Sequence, residues 1–100
     1  MTREIVTFMT LRAFLEPETP ISNRYKVAVG YHGDPIDPMS CPDRARAESW
    51  IMSAIREERD THLEDQGIDP MEDSVHCLLR DCKTLVEARR FLPEMEIQFV

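Results

Sequence analysis

Eight carboxylates fall within seventeen residues: Glu57, Glu58, Asp60, Glu64, Asp65, Asp69, Glu72 and Asp73, with Arg59 as the one base among them. Eight acids and one base sum to −7, the formal net charge of the whole 100-residue chain. Outside the window 11 acids (19 less 8) balance 11 bases (12 less 1). A block of one sign acts on solubility, encounter and partner choice rather than on fold. Three kinds of chemistry are open to it. It can be a solvated face that keeps a small protein in solution. It can dock on a basic groove, where carboxylates spaced along a helix take the place of phosphates and speed association. It can hold a divalent cation, but the acids lack the Asp-x-Asp-x-Asp-Gly order of a calcium loop.

Thiols and imidazoles come next. His76, Cys77 and Cys82 lie close together, with Cys41 and His62 elsewhere. Zinc sites favour Cys-x-x-Cys pairs, and there is none. His76 and Cys77 are adjacent, so they point apart on a helix or a strand. Cys82 reads as a small apolar filler of core space. No metal and no cofactor is expected. A second cluster, His32, Asp34, Asp37, Cys41 and Asp43, crowds a loop. A Cys41–His32 dyad oriented by Asp34 or Asp37 would be nucleophilic machinery if the groups met. A helix amino end just after Cys41 would lower its thiol pKa. The simpler reading is that the aspartates are turn residues and the thiol is inert, so no enzyme is expected. Three glycines, Gly30, Gly33 and Gly67, are too few and too scattered for a phosphate cradle.

Composition sets the outer bounds. One hundred residues make one domain, 1–100, with a single core. At this size, pairing with a second copy or a partner adds useful burial. No apolar run approaches the roughly 20 residues that span a bilayer, so no membrane is expected. Met1-Thr2-Arg3-Glu4 lacks a charged leader before a long apolar run, so no signal peptide is expected, and three cysteines argue against a closed disulfide framework. A reducing, cytoplasmic setting is therefore the expectation. The acidic balance argues against direct contact with nucleic acid, because phosphate binding runs on Lys and Arg.

The elements that must position these groups follow from periodicity. Ile5 to Leu15, rich in β-branched and aromatic residues, reads as one central strand. Pro17 to Asn23 is a loop. From Arg24 to His32 the alternation places Tyr25, Val27, Val29 and Tyr31 on a buried face and Arg24, Lys26, Ala28, Gly30 and His32 on the other. Aromatics on a sheet can stack bases, but the basic residues lie opposite them. Ile36 to Ser40 suits a short edge strand, because Pro35 and Pro38 exclude it from a sheet centre. Ser40 with Asp43 resembles a capping box for a helix whose stripe is Ala47, Trp50, Ile51, Ala54 and Ile55, with Trp50 expected in the core. Gly67 suits its stop. Ser74 to Leu92 reads as helix, broken near Lys83, where Thr84 and Glu87 form another capping box; a strand over 74–81 is the alternative. Glu94 to Val100 alternates as a final strand.

These elements predict an α+β fold: a mainly antiparallel sheet of three or four strands with two helices on one face, ordered β-β-(β)-α-α-β, or β-β-α-β-α-β in the alternative. The functional expectation is a small acidic protein-binding module. Its sharper form is a phage or mobile-element inhibitor, anti-CRISPR-like in class, whose eight carboxylates block a basic nucleic-acid-binding groove. The alternatives are a homo-oligomeric adaptor, pairing as a homodimer through a sheet edge, and a metal protein or cysteine enzyme built on the His32–Asp43 loop.

Overall fold

The computed structural model describes residues 3–32 and 36–100. Four strands come first: β1 (Glu4–Phe8), β2 (Leu11–Pro17), β3 (Tyr25–Tyr31) and β4 (Ile36–Cys41). Three helices follow: α1 (Arg44–Asp65), α2 (Ser74–Arg80) and α3 (Leu85–Arg89), with a short 3-10 turn at Pro70–Glu72 before α2. β5 (Glu96–Phe99) closes the order. The sheet runs β4-β3-β2-β1-β5, antiparallel at each pairing. Four strands thus form a meander, and the chain returns beside β1 after laying its helices on the sheet. The fold is α+β, with five strands and three α-helices rather than the expected three or four and two.

The extra strand comes from Ile5 to Leu15, which is a hairpin and not one strand. Phe8 pairs with Leu11, leaving a two-residue turn at Met9-Thr10. Such turns need a positive φ and normally carry Gly, Asn or Asp. Here Met9 takes it, at φ 53°. The turn therefore has no signature in residue type. Both halves share the apolar composition of interior strands, which is what they are.

Alternation decides which face is covered. Val6, Phe8, Leu11, Ala13, Leu15 and Val27 are almost fully buried and pack with Ile51 and Ile55 of α1, Leu79 of α2, Leu85 of α3, and Met95. Ile5, Thr7, Arg12, Phe14 and Glu16 alternate with them on the opposite face. There the Arg3 guanidinium lies 4.3 Å over the Phe14 ring and bonds Glu16 at 3.1 Å, so aromatic surface is shielded by charge.

Helix ends follow local chemistry. Asp43, not Ser40, caps α1: its carboxylate accepts the Arg46 N–H at 2.9 Å, and Ser40 lies within β4. Asp43 is the stronger cap by position, one residue before the first helical φ/ψ. At the other end the Gly67 N–H bonds the Glu64 carbonyl and the Ile68 N–H reaches Leu63, both at 2.9 Å. This double closure needs the left-handed conformation that Gly67 supplies at φ 79°. Residues 74–80 are helical, so the strand alternative does not hold. The break falls at Asp81–Thr84, with the Thr84 hydroxyl accepting the Glu87 N–H at 3.2 Å.

Candidate functional site

α1 carries five of the eight block carboxylates, and the loop and turn after it carry three. Local partners hold four of the eight. Glu58 accepts the Thr10 hydroxyl at 2.8 Å. Asp60 lies 3.1 Å from Nδ1 of His76. Asp69 caps the 3-10 turn through the Met71 N–H. Asp73 caps α2 through the Val75 N–H at 2.8 Å and pairs with Arg59 at 3.2 Å. These contacts tie α1, α2 and the β1–β2 turn together. The other four, Glu57, Glu64, Asp65 and Glu72, are exposed, and no described cation stands within ion-pair distance of them.

Glu57 and Glu64 lie seven residues apart on one stripe of α1, about 10 Å along its axis. Glu64 and Asp65 occupy the last turn of the helix. The aligned peptide dipoles leave that end negative even with the Leu63 and Glu64 carbonyls closed, so carboxylates are disfavoured there and cations preferred. Among the described residues the basic group of that turn is His62, which is exposed.

Beside this flank runs a groove. α1 packs on β2 and β3 and leaves the edge strand β4 partly uncovered. The gap holds about 390 Å³ and is lined by Val29, Tyr31, Met39 and Trp50, with Asp37 and Glu57 among its polar groups. Trp50 is 50% exposed, against the expectation that it packs in the core. At 100° per residue it sits about 120° around the helix from the midpoint of Ile51 and Ile55, beyond the covered arc. The stripe did contain this information, because Ile51 and Ile55 mark its centre. A neighbouring hollow of about 310 Å³ shares Tyr31 and Glu57 and adds Thr10, His32, Glu58 and Thr61. Burial pushes the Tyr31 phenol above its ordinary pKa, and Glu57 and Glu58 push the same way.

Sequence reasoning missed one buried polar network. Glu4 and Glu48 are both more than nine-tenths buried. Arg44 sits between them: it bonds Glu4 through both terminal nitrogens, Nη2 at 2.7 Å, and approaches Glu48 at 3.6 Å. Glu48 also accepts the Leu85 N–H at 3.2 Å, joining α1 to the first residue of α3. Its signal was available as an i,i+4 Arg44–Glu48 pair lying on the apolar stripe. The arrangement is closed on itself. It holds elements together and offers no reacting group.

The thiol candidates do not form a site. Cys41 is buried opposite Tyr25 on β3, whereas His32 follows the far end of that strand. Seven strand residues separate the two positions, roughly 23 Å. The Cys41 pKa is raised, first by burial and then by Asp43, contrary to the lowering expected from a helix end. Cys82 is buried, its Sγ 3.4 Å from the Leu78 carbonyl oxygen, and burial raises its pKa too. Cys77 is exposed. Asp34 lies outside the described residues. Among the described residues no group of three or more His, Cys, Asp or Glu is placed to hold a metal ion, and no helix is long and apolar enough to cross a membrane.

No protein-family model matches the chain, and neither the curated proteins nor the solved structures give a match.

Proposed function

We propose that this chain is a non-enzymatic protein-binding module whose acidic flank docks on a basic protein surface. One observation carries the reading: Glu64 and Asp65 stand exposed, with no described cation paired to them, at the end of α1 where the helix dipole disfavours them. Residues that work against local stability without a local gain are candidates for work done elsewhere. Glu57 and Glu72, also exposed and without a described cation partner, extend the same set. The docking surface is thus four carboxylates, while Glu58, Asp60, Asp69 and Asp73 serve the fold as well as the field. A basic groove that normally holds a nucleic-acid backbone is the partner chemistry that suits it, and occupying such a groove makes the module an inhibitor.

The test is affinity capture from the source cell with the full chain and with a Glu57, Glu64, Asp65 and Glu72 to Lys variant. A basic protein should be retained by the first and lost by the second. Its measured Kd should weaken steeply between about 50 and 200 mM salt, as screening predicts. A partner that binds the reversed variant equally well, at any salt, would end the charge-docking reading.

A second reading has an observation of its own. β4 and β5 are the sheet's edge strands, and Phe99 on β5 is 68% exposed. Edges of this kind pair with other chains. A homodimer built this way would be salt-insensitive, and light scattering that gives a monomer at high micromolar concentration would remove it.

A further inference from the structure

We propose that the groove between α1 and the β3–β4 edge receives an arginine side chain from the partner, with the aliphatic stem along Trp50 and Met39 and the guanidinium at Glu57 beside Tyr31. This rests on the docking reading above and names the contact that would give it specificity. Trp50, Tyr31 and Met39 are 50%, 48% and 40% exposed, three large apolar side chains around one hollow. Its acids are Glu57 and Asp37, and among the described residues no Lys, Arg or His lines it. An apolar wall ending in carboxylates complements a side chain with an apolar stem and a cationic head. Trp50 and Glu57 are two helical turns apart, about 10 Å along the axis, a span that an extended arginine side chain covers with one hydrogen bond to the carboxylate. Arginine suits the site better than lysine. Its planar head stacks on an aromatic ring and forks onto a carboxylate, whereas an ammonium does neither. The exposed acids at the end of α1 would bring a basic segment in; the groove would then choose which cation seats.

Trp50 is the chain's single tryptophan, so its indole N–H resonance reports the groove alone. The probe is a capped six-residue peptide alternating glycine and arginine. Lysine and citrulline versions serve as comparisons. The arginine peptide should move the indole resonance saturably, the lysine peptide should bind more weakly, and the citrulline peptide should not bind. Glu57→Gln and Trp50→Ala should each weaken binding about threefold to tenfold, the latter followed on the Ser53 and Ala54 amides, with circular dichroism confirming the fold. An indole that stays still when the peptide is bound, or unchanged affinity in both variants, overturns the groove. The two readings separate through Glu64, Asp65 and Glu72. If their reversal to Lys abolishes peptide binding while Trp50→Ala and Glu57→Gln leave it intact, the acidic flank stands and the groove falls. If the wild-type chain does not bind the arginine peptide at millimolar concentration, the groove falls, and the flank is then judged by the capture experiment alone.

Discussion

Asp73 caps α2 through the Val75 N–H and holds Arg59, a mostly buried guanidinium. Its pKa is lowered, first by the Val75 hydrogen bond and then, against the opposing effect of burial, by Arg59. A carboxylate whose folded pKa lies below its unfolded value stabilises the fold above the unfolded pKa. That contribution is lost as pH falls through the folded one. The unfolded value is about 3.9, so the loss belongs to the range below roughly pH 4. Asp73→Asn keeps the capping acceptor and removes the charge. Urea denaturation should show it less stable than wild type at pH 6, with the gap closing as the pH is taken below 4. Glu48 gives a larger effect because it is buried. Glu48→Ala strands the Leu85 N–H and takes one carboxylate from Arg44, which should cost about 2–3 kcal/mol in urea. Glu48→Gln, which can still accept from Leu85, should cost less.

Elements were legible where a residue type enforces a geometry, and illegible where packing does. Pro38 marked β4 as an edge, Gly67 marked the end of α1, and Thr84 with Glu87 marked the α2–α3 break. The β1–β2 turn had no such mark, because Met9 adopts φ 53° without a residue that favours it. The hydrogen bonds of the flanking strands, set by Val6, Phe8, Leu11 and Ala13 reaching the core, impose that conformation. Met9→Gly should therefore stabilise the protein by about 0.5–1 kcal/mol, since a left-handed non-glycine residue costs about 1–2 kcal/mol and glycine returns part of that as unfolded-state entropy. Met9 is 39% exposed, so its covered part gives up some packing and the net gain sits at the low end of that range. Gly67→Ala is the converse. A Cβ there meets nothing within 4 Å, so its cost is backbone strain alone. About 1 kcal/mol of destabilisation is expected, read as a lower urea midpoint at unchanged slope. The same distinction governs the site. The acidic block was visible as composition, but which acids are committed to caps and pairs depends on where α2 lies against α1, and that is decided by the burial of Leu79.

At the scale of the molecule, the excess charge is gathered on one end of α1 and the loop after it, and its members are not equivalent. Asp60 and Asp73 join α1 to α2, so their loss should act on the fold. Glu64, Asp65 and Glu72 touch no described cation, so their loss should not. Reversing these three to Lys moves the formal net charge from −7 to −1. It also replaces two acids in the last turn of α1 with cations, each worth about 0.3–1 kcal/mol in the favourable sense. Relief of repulsion among neighbouring carboxylates adds to this. The triple reversal should melt no lower than wild type and, at low salt, a few degrees higher, with the difference shrinking as salt is added. The single reversals Asp60→Lys and Asp73→Lys should melt lower, since they break the contacts with His76 and Arg59 and, for Asp73, a helix cap. A triple variant that unfolds would mean that these carboxylates hold the fold, leaving no surplus of charge for a partner. A triple variant that gains stability and loses a basic partner would place the cost of that surplus in the monomer and its benefit in the complex.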